Sequence, residues 1–135
     1  MEKSMVLLAD DEAHITCVVA EKLRDAGFNV AIARDGEEAL ELARRLLPAL
    51  VITDLQMPRM SGLELAIRLA GEAGTAGTPV IMLTARGYIL DQSMAGRTNI
   101  RAVIGKPFSA REVVRRATEL IGGAAGGAAQ RPEAA

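Results

Sequence analysis

The sequence predicts an α/β protein, a doubly wound five-stranded parallel sheet with helices on both faces. Three observations carry that expectation. Short runs dominated by apolar residues recur at 5–9, 28–33, 49–53, 80–83 and 101–105, each long enough for a strand and too short for an ordinary helix. Most are continuously apolar rather than alternating, as strands buried on both faces are. Segments with apolar residues at helical spacing stand between them, and strict alternation of strand and helix calls for parallel strands joined by right-handed crossovers.

Taken in order, the run 5–9 (Met-Val-Leu-Leu-Ala) stops at Asp10 and Asp11 and forms the first strand. Ile15, Val19, Leu23 and Ala26 then share one face of a helix over about 12–26, with Gly27 as its stop. Residues 28–33 form the second strand. Asp35 caps the next helix with Glu38 three positions on; Ala39, Ala43, Leu46 and Leu47 mark its buried side, and Pro48 ends it. The run 49–53 is a third strand halted by Asp54. After the loop 55–60, Ser61 and Glu64 form a capping box for a third helix, which Gly71, Gly74, Gly77 and Pro79 close. Strand four spans 80–83 and ends at Thr84. A fourth helix is expected at 88–97 from Tyr88, Ile89, Leu90, Met94 and Ala95. Strand five, 101–105, leads through Lys106-Pro107-Phe108 to a last helix capped by Ser109 with Glu112, whose Val113, Ala117, Leu120 and Ile121 lie on one side. The domain is thus expected over 1–121, with 122–135 a flexible Gly/Ala-rich tail.

Composition excludes several functions. Sixteen Lys and Arg against seventeen Asp and Glu give no basic excess, which argues against direct nucleic-acid binding. With only three aromatic residues, Phe28, Tyr88 and Phe108, the core must come from aliphatic side chains. The single Cys17 rules out an internal disulfide or a cysteine-based zinc site, in keeping with a reducing compartment. The apolar start is too short for a membrane span or a signal core, so a soluble cytoplasmic protein is expected, with no membrane partner.

The polar residues that interrupt this pattern fall at one edge of the sheet. Asp10 and Asp11 end strand one, Asp54 ends strand three, Thr84 ends strand four and Lys106 ends strand five. In such sheets ligands sit at the carboxyl ends of the strands. Three converging carboxylates repel one another unless a cation lies among them, and an oxygen-rich site with few protein ligands suits Mg²⁺. A lysine and a threonine facing the same point supply a positive charge and a hydroxyl donor suited to phosphoryl oxygens. The acceptor would then be a carboxylate.

Asp10-Asp11, Asp54-Leu55-Gln56-Met57-Pro58, Ser61-Gly62-Leu63-Glu64, Thr84-Ala85 and Lys106-Pro107-Phe108 together resemble the receiver domain family of two-component response regulators, over about residues 4–121. The resemblance implies a flavodoxin-like sheet of order 2-1-3-4-5. It implies that Asp54 takes a phosphoryl group from the phosphohistidine of a histidine kinase or a histidine phosphotransfer protein. Asp11, Asp54 and the backbone carbonyl of Gln56 would bind Mg²⁺ directly, and Asp10 through water. Thr84, the backbone N–H of Ala85 and Lys106 would contact the phosphoryl oxygens, with a cis Lys106–Pro107 bond, and Gln56 and Arg86 would tune the lifetime of the phosphoryl group. The family's switch turns an aromatic side chain inward three residues before the lysine; here that position is Val103, and Asn99-Ile100 replaces the usual Gly-Ala.

The chain therefore reads as a signalling receiver rather than an enzyme acting on a separate substrate. It would assist its own phosphorylation and autodephosphorylation and switch the binding of a downstream protein, as a monomer or weak dimer. A receiver-like binding module that signals without phosphate is the alternative, resting on Val103 and the unusual segment 86–101. A haloacid-dehalogenase-type phosphohydrolase is disfavoured, since its nucleophile follows strand one as Asp-x-Asp. Asp11-Glu12-Ala13-His14 imitates a helicase motif, but no Gly-x-x-x-x-Gly-Lys-Ser/Thr segment accompanies it. His14 reads as a solvated first-turn residue and Cys17 as a bland neighbour of the buried stripe. Arg44-Arg45 and Arg115-Arg116 read as solvated helix faces.

Overall fold

The computed structural model describes residues 3–85 and 98–126, with side chains to residue 122. Five strands, β1 (Met5–Ala9), β2 (Asn29–Ala33), β3 (Leu50–Asp54), β4 (Val80–Thr84) and β5 (Ile100–Gly105), form one parallel sheet of order β2-β1-β3-β4-β5. Four helices accompany them among the described residues: α1 (Ala13–Asp25), α2 (Gly36–Leu46), α3 (Gly62–Ala70) and α4 (Ala110–Gly126). The doubly wound α/β fold and its strand order are as the sequence implies. The expected helix at 88–97, with Tyr88 and Arg86, lies outside the described residues, as do residues 127–135.

Alternate side chains of the central strands enter opposite layers, which is why those strands read as unbroken apolar runs. Val6, Leu8, Leu50, Ile52, Ile81 and Leu83 pack with Val19 and Leu23 of α1 and Val113, Ala117 and Ile121 of α4. Leu7, Ala9, Val51, Val80 and Met82 pack with Ala39, Leu40 and Ala43 of α2 and Leu65, Ala66 and Leu69 of α3. Each such buried Val, Leu, Ile or Met side chain contributes about 2 kcal/mol relative to exposure. Every residue of β3 and β4 is buried, whereas β2, at one edge, is half-covered.

Between Val80 and Ile81 of β4 the register with β5 shifts: Val80 pairs with Ile100 and Ile81 with Ala102, so Arg101 is an extra residue in β5. Such a bulge reverses the faces of the residues beyond it. Ile100 joins the α2/α3 layer, Ala102 the α1/α4 layer, and Val103 returns half-buried to the α2/α3 layer.

Several helix details differ from expectation. Leu47 takes a left-handed conformation (φ 48°) as the C-cap of α2, so Leu46 and Leu47 point outward and Leu40 supplies the buried contact instead. Ala26 is likewise the exposed C-cap of α1, and Thr16 and Ala20 join Val19 and Leu23 on its buried face. Helix α4 continues to Gly126, through the first part of the segment 122–135 read as a tail.

Candidate functional site

Strand pairing assembles the site. Asp10 follows β1 directly and donates its backbone N–H to Ala33 O at 3.1 Å. Asp54 is the last residue of β3, paired with Leu83. Thr84 ends β4 beside Gly105, and the Lys106 N–H donates to Thr84 O at 2.6 Å, which sets the lysine over the carboxyl end of the sheet. The Lys106–Pro107 peptide is cis.

The β3–α3 loop is tightly determined. Gly62 presses on the backbone of Asp54: a Cβ there would lie 2.2 Å from Asp54 O. Its N–H donates to Leu55 O at 2.8 Å. Ser61 and Glu64 form the expected capping box on α3. Farther along, Met60 packs on Gly36, and Arg59 reaches the N-cap of α2 through an ion pair to Asp35 at 3.2 Å.

Oxygens of Asp10, Asp11 and Asp54 lie within 4.8 Å of one another. Lys106 Nζ stands 2.8 Å from Asp54 Oδ1 and 3.6 Å from Asp10 Oδ2, with its side chain largely covered. Asp10 Oδ1 accepts the Glu12 N–H at 2.9 Å, but Asp10 Oδ2 is buried and accepts no hydrogen bond among the described residues. Burial raises the pKa of Asp10, aided by the Asp54 charge and opposed by the Glu12 N–H and Lys106. Burial works against the charge on Lys106, yet the hydrogen bond to Asp54 and the neighbouring carboxylates raise its pKa above that of an ordinary lysine. An orphaned buried oxygen beside two further carboxylates is a donor set that fits a hard divalent cation.

A cleft of about 410 Å³ opens on this group, lined by Asp11, Glu12, Asp54, Gln56, Ala85 and Lys106 among others. Asp10 lies beneath it. Thr84 is buried at the end of β4 and does not line the cleft, and Val103 faces the α2/α3 layer. Sequence reasoning missed two features. Glu12 Oε1 lies 3.4 Å from Lys106 Nζ, a contact across 94 positions that no local pattern signals. An apolar hollow of about 510 Å³, lined by His14, Ile15, Val18, Val19, Pro107 and Phe108, shares Lys106 with the cleft.

The family model for the response regulator receiver domain matches residues 6–118. The chain belongs to that family. It is 38% identical over 116 residues to the transcriptional regulatory protein CpxR of Escherichia coli (strain K12), an alignment covering 86% of this chain and 48% of CpxR. The chain thus spans about half the length of the curated relatives it matches. The structure of chemotaxis response regulator CheY4 of Vibrio cholerae superposes with a TM-score of 0.80 at 28% identity, covering 88% of this chain and 99% of CheY4. The receiver domain of sensor histidine kinase PA1611 from Pseudomonas aeruginosa, in which a magnesium ion is coordinated in the active-site cleft, shares the fold (TM-score 0.78, 24% identity, 90% and 99% covered). This receiver domain carries an acidic cluster able to bind Mg²⁺, and none of its described helices is long and apolar enough to cross a membrane.

Proposed function

We propose that this chain is the phosphoacceptor of a two-component pathway, with Asp54 accepting a phosphoryl group from a phosphohistidine in a Mg²⁺-dependent reaction. The observation that carries the reading is Asp54 Oδ1 held 2.8 Å from Lys106 Nζ, within a carboxylate cluster that includes the orphaned Asp10 Oδ2. In the transfer an Asp54 carboxylate oxygen forms a bond to phosphorus as the P–N bond breaks, and the leaving imidazole keeps the electron pair and takes up a proton. Asp10, Asp11, Asp54 and the Gln56 carbonyl would hold the metal, which when bound neutralises charge on the phosphoryl oxygens. Lys106 and the Ala85 N–H offer fixed donors to those oxygens, and Thr84 contributes its hydroxyl in the phosphorylated state.

The donor is the phosphohistidine of a histidine kinase or histidine phosphotransfer protein. The apolar hollow beside Lys106, with Val18 half-exposed on its rim, gives that protein a surface contiguous with the cleft. The phosphorylated form then alters binding to a downstream protein, within the cytoplasm, until autodephosphorylation resets it. A half-buried Val103 in place of a two-position aromatic ring favours the second reading, a phosphate-independent binding module. Incubation with acetyl phosphate and Mg²⁺ separates the two. The intact mass should increase by one phosphoryl group, and Asp54→Asn should abolish the gain; no Asp54-dependent gain would refute the phosphoacceptor reading.

A further inference from the structure

We propose that Glu12 is a specificity-determining residue at the mouth of the cleft, drawing the Lys106 ammonium away from an incoming phosphoryl group and opposing small, highly charged phosphodonors. The inference rests on the phosphoacceptor reading of Asp54. Glu12 is the N-cap residue of α1, yet its carboxylate makes no capping hydrogen bond to that helix. It points instead at Lys106, with Oε1 3.4 Å from Nζ, and it lines the cleft while remaining about half-exposed at 49%. Lys106 thus has inner counterions, Asp54 at 2.8 Å and the buried Asp10 at 3.6 Å, and an outer one, Glu12 at 3.4 Å.

Asp54 and Glu12 act in opposite senses. Asp54 holds the ammonium where a phosphoryl group on that carboxylate would need it. Glu12 holds it toward solvent, and any donor phosphate entering the cleft must pass a fixed negative charge. Coulomb repulsion scales with donor charge, so a dianionic donor is opposed about twice as strongly as a monoanionic one. A protein donor can offset the repulsion with contacts made outside the cleft, which a small molecule cannot. Glu12 therefore biases Asp54 against small-molecule phosphorylation.

The test compares the wild type, Glu12→Gln and Glu12→Asp with acetyl phosphate, a dianion at pH 7, and phosphoramidate, a monoanion there, each with Mg²⁺. In each reaction Asp54 forms the new P–O bond, and acetate or ammonia departs with the electron pair of the broken bond. Removing the charge should speed acetyl phosphate transfer about tenfold and phosphoramidate transfer about threefold, and both gains should shrink with added salt. Glu12→Asp, which keeps the charge, should stay within about twofold of the wild type. As an equilibrium readout, Glu12→Gln should bind beryllofluoride in the presence of Mg²⁺ about threefold more tightly. Equal rates for Gln and wild type, or equal gains for both donors, would overturn the role of Glu12 while leaving Asp54 as acceptor. A wild type that takes up no phosphoryl group from either donor would overturn the acceptor reading, and this inference with it.

Discussion

The two junctions that build the site, β3 to α3 and β1 to α1, are made on opposite plans. After Asp54 the chain is tied at several points: Gly62 seats against the Asp54 carbonyl, Ser61 and Glu64 cap α3 reciprocally, and Arg59 and Met60 tie the loop to α2. After β1 the polar groups are turned toward the cleft and Lys106 rather than into capping the helix. Asp10 Oδ2 is buried without a hydrogen-bond donor among the described residues, and Glu12 does not cap its helix. Rigidity and charge are thus kept in different places. Asp54 is fixed by packing, and the acidic side keeps a buried carboxylate oxygen without a hydrogen bond among the described residues, a donor set that suits a divalent cation.

Three substitutions probe that contrast. The largest effect is expected at Gly62. A Cβ 2.2 Å from a backbone oxygen cannot be relieved by a side-chain rotation, so Gly62→Ala should cost about 3 kcal/mol in chemical denaturation. A loss no larger than that of an exposed substitution would mean that the β3–α3 junction is less constrained than its packing implies. Next, Ser61→Ala should cost about 1 kcal/mol by removing one arm of the capping box. The smallest effect, and of opposite sign, is expected at Asp10. Its pKa is raised in the fold, chiefly by burial, so the ionised form opposes folding at neutral pH and the penalty fades as acid protonates it. Asp10→Asn should therefore raise the thermal midpoint at pH 7 in Mg²⁺-free buffer, with the gain vanishing below the ordinary carboxylate range. A lowered midpoint at pH 7 would show instead that attraction to Lys106 outweighs the burial of the charge.

Period and position made much of this domain legible in its sequence. A strand buried on both faces shows as an unbroken apolar run, so the polar residue that ends it marks the sheet edge, and Asp10, Asp54 and Thr84 are readable in that way, whereas Lys106 follows the half-exposed edge strand β5. Caps are local, and Asp35, Ser61 and Ser109 each accept from the N–H three residues on. Side-chain roles at helix ends are not readable. Leu46 and Leu47 continue an apolar spacing, but the left-handed turn at Leu47 ends the helix before that spacing can be buried. The Glu12–Lys106 contact depends on bringing β1 and β5 to opposite sides of β3 and β4, which only the assembled sheet supplies.

The extra residue in β5 also shapes an exposed border of the sheet. Among the described strands β5 lies at an edge of the sheet, where unpaired backbone groups can template a strand from another molecule. Arg101 kinks that edge and leaves an exposed residue of charged type upon it. The insertion that decides which way Val103 faces thus also puts at that edge a bulge and an exposed arginine, two features that disfavour pairing between sheet edges.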